Sequence, residues 1–179
     1  MPRQKALSEE MQKVFDASYA KRQSRDYDLK ITLRKNYKGV SLFSTKPIKK
    51  GNIIAYYKFM VYKYVKGFQG KKRDMYTMSV YTKSGRLNPY LMGDIYEGSL
   101  REPKNGIAFW AYFSNEPSGD QRENAMLDIN ERGNYRNRSR VKPGDTMTYK
   151  LLALRDIDPG EEIIWCYGDA YFRTYKSNC

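Results

Sequence analysis

The chain has no histidine among its 179 residues. That removes Ser-His and Cys-His nucleophile pairs, histidine general bases and every metal site that needs an imidazole. Cysteine is nearly as scarce: Cys166 and Cys179 are the only two, too few for a thiolate zinc site or a disulfide framework. No apolar run approaches the ~20 residues of a bilayer-spanning helix, and the start of the chain has no signal-peptide h-region. Together these absences read as a soluble, intracellular protein in a reducing compartment, with no membrane contact and no metal. Chemistry is left to Tyr, Asp, Glu, Lys, Arg, Ser or Asn, or to a bound cofactor.

Positive charge is abundant: 33 Lys and Arg against 20 Asp and Glu leave a formal net charge of +13. Such a balance favours acidic partners such as nucleic acid, nucleosomes or anionic surfaces, and says nothing about fold. The length fits one domain with an ordinary hydrophobic core. Aromatics are dominated by tyrosine, 17 against 7 Phe and 2 Trp. Most tyrosines in such a chain are cross-strand or core-edge packing residues, so a functional one has to be singled out by position.

Ser8 as N-cap and the helical spacing of Met11, Val14, Phe15, Ser18 and Tyr19 predict an N-terminal helix, followed by a basic linker over Lys21–Arg25. From Leu29 the period becomes two, with Leu29, Ile31 and Leu33 alternating with polar residues. Further strands are predicted at 40–43, 53–62, 76–82, 125–129, 147–154 and 162–167. Gly67–Arg73, Asn115–Asn124 and the basic stretch Asn130–Gly144 read as loops. Leu91–Trp110, interrupted by Gly93, Gly98, Pro103 and Gly106, reads as short pieces. Many short strands with one helix argue a mainly β domain.

Three separated pieces carry a resemblance. The first is Lys38-Gly39-Val40-Ser41-Leu42-Phe43, then Pro47-Ile48-Lys49-Lys50-Gly51. The second is Ala111-Tyr112-Phe113-Ser114-Asn115-Glu116-Pro117, then Asn124-Ala125. The third is Ala153-Leu154-Arg155-Asp156-Ile157, then Gly160-Glu161-Glu162-Ile163-Ile164-Trp165-Cys166-Tyr167-Gly168-Asp169. In this order and spacing they resemble the SET domain of lysine methyltransferases, and the third is the specific one. The ending 167–172 is similar to small viral SET enzymes, and Trp110 with Gln121–Asn124 resembles the PR-type branch. The resemblance implies several small sheets with a C-terminal pseudoknot plus the N-terminal helix, organised as a helix and linker over 1–28, a SET domain over 29–175 and a tail over 176–179.

It also implies a function: transfer of methyl from S-adenosylmethionine to a lysine ε-amine, with S-adenosylhomocysteine as product, no metal, and a histone tail as the substrate class in the nucleus or on chromatin. Tyr167 falls at the family's catalytic tyrosine. Tyr57 falls in the substrate-lysine channel, with Tyr56 as the one-off alternative, since in a strand only one of the two can face it. Tyr171 is a further wall residue, and Leu127 lies where some members supply a tyrosine hydroxyl, which suggests a roomier channel and more than one methylation. For the cofactor the resemblance implies backbone contacts from Lys38, Gly39, Val40 and Ser41, central ones from Asn115 and Glu116, a contact from Tyr167, and stacking by Phe172.

The departures are specific. Ser41 stands for the second glycine of the opening motif, Tyr112 for an arginine, and Glu116-Pro117 for His-Ser. No post-SET cysteine cluster is present, so Tyr171 and Phe172 are the substitutes for a zinc-held lid. Glu161 and Glu162 resemble paired catalytic carboxylates, but adjacent strand residues point to opposite faces, which argues against a shared acid-base role. Lys71-Lys72-Arg73 and Arg132–Lys142 are candidate contacts to nucleosomal DNA, which would bridge a cationic enzyme to a cationic tail. The rival reading is a SET-like or PR-like module without catalysis that serves as a chromatin or protein interaction platform. A basic nucleic-acid-binding protein without cofactor is the third.

Overall fold

The structure, a computed structural model, describes residues 17–64, 77–96, 102–129, 140–168 and 176–179. It opens with helix α1, Ala17–Asp26. The stretch 21–25, expected as a linker, is therefore helical. Lys, Arg and Gln are good helix formers, and Ala20 is fully buried. The Ser24 hydroxyl lies 2.8 Å from Ala20 O and 2.7 Å from Ile31 O, tying the helix to the first strand. The expected helical residues from Ser8 to Phe15 lie outside the described residues.

Strands β1 (Ile31–Asn36) and β2 (Gly39–Ser44) form an antiparallel hairpin in the register Ile31↔Ser44 to Asn36↔Gly39. Its turn depends on Gly39 at φ 108°, a left-handed conformation that favours glycine. The second sheet holds β3 (Ile53–Lys63), β4 (Met78–Tyr81), β5 (Leu87–Ile95), β6 (Ala125–Asp128) and β7 (Thr146–Ala153) in the order β4-β5-β3-β7-β6, each neighbour antiparallel. Ala55, Tyr57, Phe59 and Val61 bury one face of central β3, and Met147, Tyr149, Leu151 and Ala153 do the same in β7 beside it. The Phe59 and Tyr149 rings meet edge to face at 4.9 Å.

Two strand expectations are corrected. Leu91–Ile95 belongs to one nine-residue strand. Gly93 does not break it, because the missing side chain is what admits the Phe59 ring: a Cβ there would lie 2.2 Å from Phe59 Cδ2. Glu162–Tyr167, expected as a strand, makes only isolated bridges. Its backbone alternates between two neighbours. Ile163 N–H donates to Leu42 O at 2.8 Å, Trp165 N–H donates to Asn115 O at 3.0 Å, and Ile164 O accepts from the N–H of Asn124 and Ala125 at 3.1 Å. This segment therefore lies between β2 and residues 115–125.

Cys166 and Cys179 are joined in a disulfide, with Cα atoms 5.5 Å apart. The sequence, read as that of a protein in a reducing compartment, does not lead one to expect this bond; the last residues fold back onto the 116–121 loop, which no local pattern announces. Among the described residues no helix is long and apolar enough to cross a membrane.

Candidate functional site

Residues 36–41, 114–121 and 161–168 come together at one place, although up to 126 positions separate contacting partners such as Asn36 and Glu162. A short 3-10 helix, Ala111–Phe113, is buried throughout and delivers Ser114, Asn115 and Glu116 to the junction. Asn115 Nδ2 donates to Ser41 Oγ at 2.6 Å and to Val40 O at 3.2 Å. Ser41 is fully buried. A serine in place of the family's glycine is thus used as an acceptor, holding the start of β2 to Asn115.

Lys38 acts through its side chain more than its backbone. Its N–H is taken by Asn36 Oδ1 at 2.9 Å, while Nζ donates to Gln121 Oε1 at 2.6 Å, Glu116 O at 3.0 Å and Glu162 Oε2 at 3.4 Å. The Lys38 and Glu162 side chains are only 11% and 8% exposed, so the pair depends on its additional hydrogen bonds for compensation. Glu162 has them: Gln121 Nε2 donates at 3.1 Å and Asn36 Nδ2 at 3.2 Å. Burial pushes the Glu162 carboxyl up, but Gln121, Lys38, Ser41 and Asn36 together outweigh it and hold the group below its ordinary value. Glu161 points elsewhere, forming a 2.7 Å ion pair with Arg155 and accepting from Asp158 N–H. The two carboxylates make separate sets of contacts, although the segment that carries them is not the strand expected.

Tyr167 is fastened at both ends. Its N–H donates to Glu116 Oε1 at 2.8 Å and its hydroxyl donates to Ser114 O at 2.8 Å. Its ring lies 5.1 Å from that of Trp165. A phenol whose proton is committed to a carbonyl is an acceptor toward any further group that approaches, and not a strong base. Glu116 is 3% exposed. Its side chain is directed to the Tyr167 backbone, where the resemblance assigns it to the cofactor.

Tyr56 and Tyr57 differ in burial. Tyr57 is 4% exposed, with its ring centroid 3.8 Å from that of Tyr112 and 6.3 Å from that of Phe59; Tyr56 is half-buried against Phe109. Tyr57 and Tyr112 both belong to the hydrophobic core. Burial pushes the Tyr112 phenol well above the usual tyrosine value, against the lowering effect of the 3.4 Å hydrogen bond from Tyr96 N–H. Leu127 is half-buried in β6 opposite Leu151, packed on the core. Tyr171 and Phe172, Lys71–Arg73 and positions 132–139 lie outside the described residues, while Arg140 and Lys142 are exposed.

Sequence reasoning missed three contributors. Tyr112 shows up in the sequence only as a departure from the family arginine. Gln121 binds both members of the Lys38–Glu162 pair. Asn124, 1% exposed, accepts from Ile164 N–H at 3.0 Å and donates to Glu162 O at 2.9 Å, pinning the segment that leads to Tyr167; its position in the second motif is the available signal.

The donor set fits a zwitterionic, hydrogen-bonding cofactor. Asn115 makes both of its side-chain hydrogen bonds through Nδ2, and its Oδ1 accepts nothing among the described residues, leaving an acceptor beside the Gly39 turn for a ligand ammonium. Among the described residues no group of three or more Cys, Asp or Glu is arranged to hold a metal ion.

The SET domain family model matches residues 39–168. Among solved structures, the chain is similar to a Plasmodium falciparum protein provisionally named a histone methyltransferase, with TM-score 0.46, 17% identity and coverage of 81% of this chain and 98% of that one. It is also similar to the methyltransferase domain of human PR domain-containing protein 2, with TM-score 0.44, 18% identity and coverage of 84% and 86%. No curated protein matches the chain significantly.

Proposed function

The chain belongs to the SET domain family, and from that premise we propose that it is an S-adenosylmethionine-dependent protein-lysine N-methyltransferase acting on a histone tail. The observation that carries this reading is Tyr167, held by Glu116 through its backbone and by Ser114 through its hydroxyl. S-adenosylmethionine, when bound, supplies an electrophilic methyl on a sulfonium. Asn115, with the Gly39–Ser41 backbone, is the set of groups that would hold it, and Phe172 would stack on its adenine.

The chain's own task is then alignment and control of one proton. A free lysine amine has a pKa of about 10.4 and is mostly protonated at neutral pH. The aromatic wall of Tyr57 and Tyr112, with Tyr171 as a further member, excludes water and so lowers that value by desolvation. Tyr167 Oη, already donating to Ser114 O, accepts from the amine and orients its lone pair for in-line attack. Leu127 supplies no hydroxyl to hold the amine in one rotamer, which favours more than one methylation. The +13 charge opposes a cationic histone tail, so docking on nucleosomal DNA through the basic loops completes the reading and places the protein on chromatin.

The test is methyl transfer from labelled S-adenosylmethionine to core histones and nucleosomes, wild type against Tyr167→Phe, with product states read by mass spectrometry. Losing one positioned hydroxyl should lower transfer roughly a hundredfold. Equal transfer by the variant would remove Tyr167 from the active site. Cofactor binding without transfer to any protein would favour the interaction-module reading.

A further inference from the structure

The two cysteines are 13 positions apart, and their bond lies against the Tyr167 site. Cys166 directly precedes Tyr167. Cys179 is carried back by the tail, where Asn178 N–H donates to Pro117 O at 3.4 Å and Asn178 Nδ2 reaches Gly119 O and Gln121 O. Cys179 Sγ lies 3.6 Å from Glu116 Oε1, the same oxygen that accepts the Tyr167 N–H. Glu116 thus contacts the disulfide sulfur and accepts from Tyr167 through the same oxygen.

Accessibility and local chemistry distinguish a switch from a permanent staple. Cys179 and Asn178 are at the surface and Cys166 is only half-buried, so a thiol can reach the bond. Exposed disulfides are the labile ones, and in reducing compartments the disulfides that do form are mostly transient or redox-sensing. Each sulfur also has a carboxylate beside it: Cys166 Sγ is 3.3 Å from Glu123 Oε2, and Cys179 Sγ is 3.6 Å from Glu116 Oε1. On reduction each new S–H finds an acceptor in place, so neither redox state strands a donor.

We propose that Cys166–Cys179 is a redox-sensitive latch on the Tyr167 site, opened by thiols of the glutathione or dithiol class. The proposal rests on the methyltransferase reading for its effect on turnover, though the latch itself is separately measurable. Opening is a two-electron exchange. A thiolate of the reductant attacks one sulfur, forming a mixed disulfide and releasing the other cysteine, which takes up a proton. A second reductant thiol displaces the remaining cysteine, leaving two protein thiols and an oxidised reductant disulfide. Closing is the reverse, with a small disulfide as oxidant. Closed, the tail is held covalently against the 116–121 loop and Tyr167 N–H stays on Glu116. Open, the tail is held by hydrogen bonds alone, those of Asn178 and of the Cys179 thiol; that thiol donates to the same Glu116 oxygen that accepts the Tyr167 N–H, so the Tyr167 anchor loosens and transfer slows.

The experiment uses the full chain purified without reductant, with free thiols counted before and after dithiothreitol. Methyl transfer and amide hydrogen exchange over 114–121 and 163–168 are followed in both states and in Cys179→Ser and Cys166→Ser. Expected are no free thiols at the start and two after reduction. Reduction should bring roughly a tenfold fall in transfer, the scale of a loosened anchor, with faster exchange in both segments. Both variants should match the reduced wild type and ignore reductant. Two free thiols in the untreated protein, persisting after oxidised glutathione, would overturn the latch. So would unchanged transfer and unchanged exchange on verified reduction, and the methyltransferase reading would survive that result. If neither state transfers methyl while exchange still responds to reduction, the latch stands and the methyltransferase reading fails.

Discussion

Replacing Asn124 with alanine should destabilise the protein by about 3 kcal/mol. The side chain is 1% exposed and bridges two backbone groups of a segment distant in sequence, Glu162 O at 2.9 Å and Ile164 N–H at 3.0 Å. Ile164 is itself 3% exposed, so its N–H has no route to water once Oδ1 is gone, a loss of about 2 kcal/mol for a stranded buried donor. The Glu162 carbonyl sits in a more accessible stretch and contributes about 1 kcal/mol. The backbone bonds from Asn124 and Ala125 N–H to Ile164 O remain in the variant, so the segment stays docked and the loss is local. With a urea m-value of about 2 kcal/mol/M, the unfolding midpoint should fall by about 1.5 M at unchanged m. Amide exchange over 163–167 in the folded variant should rise with it. A midpoint shift under about 0.3 M would show that the two bonds are replaced by water, and that this side chain does not hold the Tyr167 segment.

Glu162→Gln tests the buried ion pair through pH. Burial raises the Glu162 carboxyl, yet Gln121, Lys38, Ser41 and Asn36 hold it below its ordinary value. Its stabilisation is therefore present above the unfolded value, about 4.3, and lost as pH falls through the lower folded value. The stability gap between wild type and variant should narrow from pH 7 toward about pH 3 in urea titrations, and a gap independent of pH would refute the assignment. Gly93→Ala forces a methyl into the buried Phe59 ring, 2.2 Å from Cδ2, and should cost about 2 kcal/mol, read as a lower thermal midpoint; no shift would mean the ring has room to move. Nucleosome binding should weaken steeply with added salt, since it runs through cationic loops, and salt-independent binding would contradict DNA docking.

Much of this protein can be read along the chain. The alternation Ala55, Tyr57, Phe59, Val61 needs only the two-residue period of a strand, and it decides that only one of Tyr56 and Tyr57 shares the buried face. The motif residues Asn115 and Tyr167 are singled out by their place in the pattern without coordinates. These are local properties, set by the dihedral period of each element.

The remainder depends on which distant segments meet. Glu116 could stand in the motif for a cofactor contact; only the fold turns its carboxylate to Tyr167 N–H, 51 residues away. Gly93 reads as a breaker until Phe59, on the neighbouring strand, fills the space above it. Tyr112 becomes a partner of Tyr57 only where the 3-10 helix packs on β3. The Cys166–Cys179 bond requires the tail to return across the 116–121 loop. Periodicity reports how a segment can bury a face, and packing alone determines what that face is buried against.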